Sequence, residues 1–139
     1  MKTHTFQKIL LPLASILILF TSCQKDPQDL LLGTWTVTAS EDSLYNEYSD
    51  DYQIYNDLNI GVSFTFHEDG TMILDFGDGY TDKATWRYED DILYMTSTDG
   101  ITDAPQVTQL TETQLTLYYD MGQVNGHPIY SSMTFTKTK

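Results

Sequence analysis

The sequence predicts an all-β protein, folded as an eight-stranded antiparallel up-and-down barrel. Eight short segments alternate apolar and polar residues, which is typical of strands with one buried face. Most of these segments are separated by short runs of turn-forming residues, without the spacing of β-α-β units. A β-sandwich would show a similar alternation and is the alternative fold. We favour the barrel because the hairpins follow one another without the long cross-connections of a Greek key.

The predicted strands form hairpins in chain order. They cover residues 34–39, 62–67, 71–76, 83–88, 92–96, 105–110, 114–119 and 129–136. Gly70, between the second and third strands, can adopt the positive φ of a tight hairpin turn. The alternation of the fifth strand can be read in two ways. Either Ile92 and Tyr94 face the interior, or Leu93 and Met95 do. An open sheet would expose two unpaired edges, so we expect the last strand to close against the first.

The same alternation predicts which side chains face the interior. In the first strand Trp35, Val37 and Ala39 share a face, and threonines occupy the other face. The large side chains predicted to point inward are Trp35, Phe64, Phe66, Met72, Phe76, Trp86, Tyr88, Met133 and Phe135. These side chains could fill an eight-stranded interior without a ligand.

The residues before the strands predict export. Residues 9–20 are an apolar run that follows a lysine and ends in the small residues Thr-Ser. The run is too short for a membrane-spanning helix, which needs ~20 residues, and its setting is that of a secretory signal. We therefore predict a signal peptide over residues 1–22, a short tether over 23–30 and one folded domain over 31–139.

Composition narrows the range of partners. The 139 residues carry 20 Asp and Glu against 7 Lys and Arg, a formal net charge of −13. All of the acidic residues lie after the signal. An acidic domain lacks the basic surface that binds DNA, RNA or anionic lipid headgroups, so we expect no nucleic-acid partner. Cys23 is the single cysteine of the chain, which excludes a disulfide scaffold.

Cys23 follows Leu-Phe-Thr-Ser, after a charged start and a short apolar core. This arrangement resembles the lipobox of bacterial lipoproteins. The resemblance implies cleavage before Cys23 by signal peptidase II and a diacylglyceryl group on its sulfur, which would attach the protein to a membrane. Each buried CH₂ contributes ~0.8 kcal/mol, so two or three acyl chains give stable attachment. The alternative is a buried or free thiol in a plain secreted protein.

Residues 24–29, Gln-Lys-Asp-Pro-Gln-Asp, look like the Lys-plus-acid export tag of surface lipoproteins of the Bacteroidota. The resemblance implies a protein anchored to the outer membrane, at the cell surface or on the periplasmic face. The simpler interpretation is a polar tether over residues 23–30, kept extended by its proline and its charges.

A Gly-x-Trp motif, Gly33-Thr34-Trp35, opens the first strand. Three further motifs follow: the Phe-x-x-Asp-Gly-Thr hairpin at 66–71, the Trp-Arg-Tyr strand at 86–88 and the Leu-Thr-x-Thr-x-Leu turn at 110–115. Together they resemble the small lipocalin-like domains of Bacteroidota lipoproteins. The resemblance spans about residues 30 to 137.

The lipocalin resemblance implies a structural role for the first of these motifs. In lipocalins the tryptophan lies across the closed end of the barrel, beneath a basic side chain from near the last strand. Here Lys137 or Lys139 could cover Trp35, through a cation–π contact worth ~0.5–1 kcal/mol. Gly33, Trp35 and Lys137 are therefore the candidate residues of the closed barrel end.

The connection between the first two predicted strands, residues 41–60, is long enough to indicate a structured or functional segment. Tyr45, Tyr48, Tyr52 and Tyr55 are spaced 3, 4 and 3 residues apart, which places them on one face of a helix. We therefore predict a short helix in this connection. Packing must hold this helix, because its residues are mediocre helix formers.

Two interpretations of these tyrosines stay open. In one, they plug the barrel mouth and complete a small core. In the other, they form a lid over a ligand, because aromatic rings with a polar tip suit sugars, flat aromatic compounds or amphiphiles. The candidate ligand-binding residues are Tyr45, Tyr48, Tyr52, Tyr55, Phe64, Phe66, Trp86 and Tyr88.

The same segment contains Asp42-Ser43-Leu44. It fits the Asp-Ser/Thr-apolar pattern of O-glycosylated exported proteins of the Bacteroidota, which makes Ser43 a candidate glycosylation site. The alternative is an Asp/Ser pair that caps the predicted helix.

No residue pattern predicts catalysis. His67 and His127 are far apart in the chain, and neither accompanies a serine in a recognisable strained turn, so we expect both at the surface. Two remote histidines are poor evidence for zinc. The acidic segment 75–82 does not match the ligand spacing of an EF-hand. We therefore expect no catalytic residue, no metal and no cofactor.

These observations favour a lipid-anchored, non-enzymatic binding protein. Its barrel would hold a small hydrophobic, aromatic or sugar ligand. The alternative function is a surface module with a filled barrel, whose outer face mediates protein–protein interaction or assembly.

Overall fold

The computed structural model describes residues 25–46, 48–56 and 61–138. The predicted signal peptide and Cys23 lie outside the described residues. Within them, one short helix, α1 (Pro27–Leu31), precedes ten strands. The strands are β1 (Gly33–Asn46), β2 (Asp51–Tyr55), β3 (Ser63–Phe66), β4 (Thr71–Asp75), β5 (Thr81–Glu89), β6 (Ile92–Ser97), β7 (Thr102–Asp103), β8 (Gln106–Leu110), β9 (Gln114–Val124) and β10 (His127–Lys137). No helix in this part of the chain is long and apolar enough to cross a membrane.

The strands form an antiparallel sheet that closes on itself. Around the barrel the order is β1-β3-β4-β5-β6-β8-β9-β10, and β10 pairs with β1 to complete the circle. The closing ladder runs from Trp35 opposite Lys137 to Ser43 opposite Tyr130. The two short strands outside this circle pair with its members: β2 with the second half of β1, and β7 with β6. The predicted eight-stranded antiparallel barrel with sequential hairpins is confirmed.

The long first connection is a hairpin, so the prediction of a helix within residues 41–60 is wrong for its described part. β1 continues into this segment and β2 returns beside it, with Tyr45 opposite Tyr52. Tyrosine favours strands, whereas Asn, Asp and Ser form helices poorly. Because side chains alternate along a strand, Tyr45 and Tyr52 share one face, and Tyr55 lies on the other, opposite Asp42. The spacing of 3, 4 and 3 therefore gives no common face.

The short helix α1 precedes the barrel instead. Asp26 caps it by accepting a hydrogen bond from the Gln28 amide at 2.9 Å, and Pro27 occupies its first turn, where an amide hydrogen is not needed. The Gln28 side chain donates to the Tyr88 carbonyl at 3.2 Å. The expectation of an extended tether over residues 23–30 is therefore corrected for its helical part, which lies against the barrel.

Trp35 closes one end of the barrel. Its side chain is fully buried, and its indole Nε1 donates to the Leu31 carbonyl at 2.7 Å. The Lys137 Nζ lies 5.0 Å from the centroid of the Trp35 ring and donates to the Leu30 carbonyl at 2.8 Å. Burial lowers the pKa of Lys137. This geometry is the one that the lipocalin resemblance implies for a tryptophan beneath a basic residue; Lys139 lies outside the described residues.

A core of large side chains fills the half of the barrel next to Trp35. The members that are at most 2% exposed are Leu31, Trp35, Phe66, Met72, Leu93, Leu115, Leu117 and Phe135. Leu93 and Met95 are both buried, whereas Ile92 and Tyr94 are partly exposed. This decides the phase of the fifth predicted strand in favour of Leu93 and Met95.

Two side chains predicted to face the interior do not. A β-bulge shifts the register of the closing ladder between Val37 and Ala39, so Ala39 is exposed and Ser40 is buried in its place. Phe76 lies just beyond the end of β4, where the strand alternation stops. Its ring is 43% exposed and packs on Tyr80.

Gly33 supports the closed end through its lack of a side chain. Its φ is +108°, and a Cβ at this position would lie 3.1 Å from the Lys137 Cε. We expect Gly33→Ala to lower the free energy of unfolding by about 1–3 kcal/mol, from backbone strain and displacement of the lysine. Urea unfolding of the variant measures this loss.

Gly100→Ala is the matched control for this prediction. Gly100 has a φ of +88°, but no atom lies within 4 Å of its Cβ position. The control therefore carries strain without crowding and should lose less stability. If both variants lost the same free energy of unfolding, backbone strain alone would account for the loss and the contact with Lys137 would contribute nothing.

Candidate functional site

The barrel wall is interrupted near the end opposite Trp35. β6 and β8 pair at Ile92 opposite Gln106, and the Leu93 amide donates to the Pro105 carbonyl at 3.0 Å. Further along, β6 pairs with the two-residue β7. Pro105 has no amide hydrogen with which to extend the β6–β8 ladder. The chain around residues 101–105 therefore borders the open end of the barrel.

Two adjoining pockets occupy this open end. The interior pocket has a volume of about 100 Å³. Its lining residues are Phe64, Leu74, Asp82, Ala84, Met95, Ser97, Ile101, Asp103 and Tyr119. The rim pocket has a volume of about 330 Å³. Its lining residues are Ala104, Pro105, Tyr119, Asp120, Met121, Ser131 and Met133.

Tyr119 lines both pockets. It continues the inward alternation of Leu115 and Leu117 along β9, and it stands opposite Ser131 of β10. No described residue forms a hydrogen bond with its hydroxyl. Burial, and secondly the Asp103 carboxylate, raises the pKa of Tyr119. The hydroxyl is therefore protonated at neutral pH and available as a donor inside the site.

Two carboxylates give the interior pocket a negative wall. Asp82 stands opposite Leu74 in the β4–β5 ladder, and its Oδ1 accepts a hydrogen bond from the Lys83 amide at 2.7 Å. Asp103 stands opposite Met95 in the β6–β7 pair. Neither carboxylate belongs to an ion pair among the described residues. The described lining of both pockets also contains no lysine, arginine or histidine.

A larger recess, of about 440 Å³, lies on the outer face of the sheet across β4, β5 and β6. Several of its walls are threonines, with Thr71 opposite Thr85 and Thr85 opposite Thr96 in neighbouring strands. This recess lies outside the barrel, and its described lining contains no carboxylate that could act together with a hydroxyl. The pockets at the open end are therefore the better candidate site.

The tyrosines predicted to act together are dispersed. The rings of Tyr45 and Tyr52 lie 5.3 Å apart, and the Tyr52 ring lies 4.0 Å from the His127 ring. The Tyr52 hydroxyl donates to a main-chain carbonyl of β9. Tyr48 is fully exposed in the turn, and Tyr55 is 40% exposed on the other face of the hairpin. The structure therefore does not gather these four side chains into a single lid.

The predicted interior aromatic residues divide between pocket and core. Phe64 lines the interior pocket, and Phe66 is buried in the core. The Trp86 ring packs edge-on against Phe66 at 5.3 Å, and its Nε1 donates to the His67 carbonyl at 3.0 Å. Tyr88 lies at the closed end, where its hydroxyl donates to Asp91 at 2.6 Å, and burial raises its pKa to about 12. Phe64 is therefore the one predicted aromatic residue that reaches the site.

Ser43, the candidate glycosylation site, is buried in the folded structure. It is 6% exposed, and its hydroxyl donates to the Pro128 carbonyl at 3.1 Å. The Ser43 hydroxyl, on the β1–β2 hairpin, is therefore buried and hydrogen-bonded, and an O-linked glycan at this position stays a prediction.

The histidines and the acidic segment 75–82 lie at the protein surface and do not form a metal site with one another. His67 and His127 are both exposed. Asp75 and Asp78 each accept a hydrogen bond at 2.9 Å from a main-chain amide two residues further on, which stabilises the turns of the 75–82 segment. The described residues contain no group of three or more His, Cys, Asp or Glu placed to hold a metal ion.

Sequence analysis did not single out Tyr119, Asp82 and Asp103 as site residues. The signal was present for the first two: Tyr119 is the last inward position of the predicted strand 114–119, and Asp82 continues the inward alternation one residue before the predicted strand 83–88. Asp103 gave no such signal, since β7 has two residues and its facing depends on pairing with β6.

The buried setting of Tyr119 predicts a late ionisation. Since burial and Asp103 favour the protonated phenol in the folded state, its stabilisation is complete below the ordinary tyrosine pKa of about 10 and is lost as the pH rises above it. We expect the difference in phenolate absorbance between the native protein and Tyr119→Phe to emerge only above that pH. A difference centred near pH 10 would contradict the buried setting, and Tyr48→Phe serves as the exposed control.

Comparison with known proteins places this barrel in a family. Residues 31–117 match the sequence model of the lipocalin-like domain. A lipocalin-like protein from Bacteroides uniformis has a similar crystal structure, with a TM-score of 0.52, 13% sequence identity and coverage of 78% of this chain and 99% of that chain. An uncharacterised protein from Bacteroides eggerthii gives a TM-score of 0.49 at 13% identity, over the same shares of the two chains. A search of curated proteins found no significant match. The chain therefore belongs to the lipocalin-like domain family.

Proposed function

We propose that this protein is a lipid-anchored protein of the outer membrane, at the cell surface or on its periplasmic face, that binds a small, partly apolar ligand without catalysing a reaction. The observation that carries the proposal is the pair of pockets at the open barrel end, joined by Tyr119. Lipocalin-like barrels of eight strands have room for side chains or one small ligand.

The construction of the site supports binding. Its walls are mostly apolar, and the Tyr119 hydroxyl has no hydrogen-bond partner among the described residues, so a ligand can supply one. The rim pocket, at about 330 Å³, reaches the lower end of the volumes typical of small-molecule sites.

A surface interaction module is the second candidate function. The observation in its favour is the cluster of buried large side chains in the half of the barrel next to Trp35, which resembles the inside of a domain without a ligand. The stacked Tyr118 and Tyr130 rings, 5.4 Å apart on the outer face, would then belong to a contact surface for another protein.

Ligand binding at the rim can be tested by filling the pocket. Ala104 is exposed and lines the rim pocket, so Ala104→Trp should occupy it without disturbing the core. We expect the full chain, in a non-ionic detergent, to bind the neutral fluorescent probe 1-aminoanthracene, and the variant to bind it about tenfold more weakly. Fluorescence anisotropy, corrected for detergent alone, measures both affinities.

Ala39→Trp is the matched control, because Ala39 is an exposed alanine on the barrel exterior. It should bind the probe as the unmodified protein does. Absence of probe binding above the detergent blank in the unmodified protein would overturn the ligand-binding proposal and favour the interaction module.

Lipid anchoring makes a separate prediction. In a Gram-negative host, Cys23→Ala should abolish incorporation of a radiolabelled fatty acid and reduce the share of the protein in the membrane fraction, because the acyl chains supply the attachment. Ser22→Ala keeps a small residue before the cysteine and should retain the label. Equal labelling of the two variants would sink the assignment of Cys23 as the lipidated residue.

A further inference from the structure

The interior pocket presents hydrogen-bond acceptors and aromatic faces. Asp82 and Asp103 contribute carboxylates, and Phe64 and Tyr119 contribute rings. The Ser97 hydroxyl also lines this pocket, and it donates to the Asp99 carboxylate or to the Ile101 carbonyl. Carboxylates and ring faces are the groups that stabilise a ligand ammonium. An anionic ligand would meet the repulsion of two carboxylates.

The field of the whole domain has the same sign. The chain carries 20 acidic residues against 7 basic ones. Lys137 and Lys25 lie at the closed end, where Lys137 caps Trp35 and Lys25 pairs with Glu112 at 2.7 Å. A pocket with low-dielectric walls focuses the potential of a charged protein. The negative field at the open end therefore has no local basic side chain to offset it within the described lining.

The volumes of the two pockets suit a ligand with two parts. The interior pocket, at about 100 Å³, has room for a few non-hydrogen atoms, since one water occupies roughly 30 Å³ of liquid. The rim pocket is about three times larger and has Pro105, Met121 and Met133 in its wall. A compact charged group therefore fits the interior pocket, and an apolar group fits the rim pocket.

We propose that the open end of the barrel binds an organic cation: an amine or quaternary ammonium group held between Asp82 and Asp103, joined to an apolar or aromatic group in the rim pocket. This inference rests on the proposed ligand-binding function and specifies the class of its ligand. Asp103 is the residue tested, because its carboxylate has no hydrogen bond or ion pair among the described residues, whereas the Asp82 carboxylate accepts from the Lys83 amide.

The test compares three water-soluble probes of similar size that differ in charge. Benzyltrimethylammonium is the cation, benzyl alcohol the neutral probe and phenylacetate the anion. Their affinities for the full chain in a non-ionic detergent are measured by isothermal titration calorimetry at low and at high salt. We expect the cation to bind at least about tenfold more tightly than the neutral probe at low salt, with the difference reduced by salt.

Two variants locate the preference. Asp103→Asn should bring the affinity for the cation close to that for benzyl alcohol and leave the neutral probe unaffected. Asp90→Asn removes the same charge from the turn at the closed end, where the positive φ of 51° suits asparagine, and it should keep the preference. Loss of the preference in both variants would overturn the local assignment in favour of net charge alone.

The remaining outcomes separate this inference from the proposed function. Equal binding of all three probes, or tighter binding of the neutral or anionic one, would overturn the cation inference and leave ligand binding intact. Binding of none of them, together with absence of 1-aminoanthracene binding, would overturn both. Binding of 1-aminoanthracene without binding of the cation would overturn the cation inference alone.

Discussion

The pairing of the first and last barrel strands is the constraint on which the other features depend. It joins segments about a hundred residues apart in the chain, and it places Trp35 opposite Lys137. Because directly opposed residues of an antiparallel pair share a face, the same register that closes the sheet also brings the lysine over the indole ring. Gly33, which lacks a Cβ at that point, leaves the space for the lysine side chain.

Closure gives the two ends of the barrel different properties. At one end, the last residue of α1 accepts the hydrogen bond of the Trp35 indole, and Lys137 covers the indole ring. Large side chains fill the space behind this ring. At the other end, the inward positions carry Asp82, Ser97 and Tyr119, and the short β7 takes the place of β8 beside β6 without pairing to β9. Stability is thus concentrated at the filled end, where apolar burial is greatest. Polar inward groups occur at the open end, where they can contact a ligand.

The barrel could be predicted because the pattern that specifies it, the alternation of apolar and polar residues, lies within each strand. Each of the eight strands carries its own alternation, and short turns leave a closed meander as the solution that exposes no long edges. The prediction of a helix within residues 41–60 failed because it used the tyrosine spacing alone. A spacing of 3 and 4 residues fits a helix equally well when the pairing of the neighbouring strands is unknown. Pairing of Tyr45 with Tyr52 requires the ladder from β1 to β2, which the alternation alone does not specify. The bulge at Val37 is likewise a property of the β1–β10 register, so the facing of Ala39 and Ser40 was beyond a strand-by-strand argument.

Because the two ends of the barrel are built from different residues, membership of the family specifies the fold but does not specify the ligand. The closed end depends on Gly33, Trp35 and Lys137, and the barrel fold itself is shared with a lipocalin-like protein of only 13% identity. The residues of the open end project from strand termini and connections, where a substitution changes the pocket without removing core packing. Asp103 shows this clearly: it is exposed, belongs to a two-residue strand and has no role in the core, yet it contributes half of the carboxylate charge of the interior pocket. Core packing therefore does not require an acidic residue at this position, and a substitution there changes the charge of the pocket while leaving the packed end of the barrel intact.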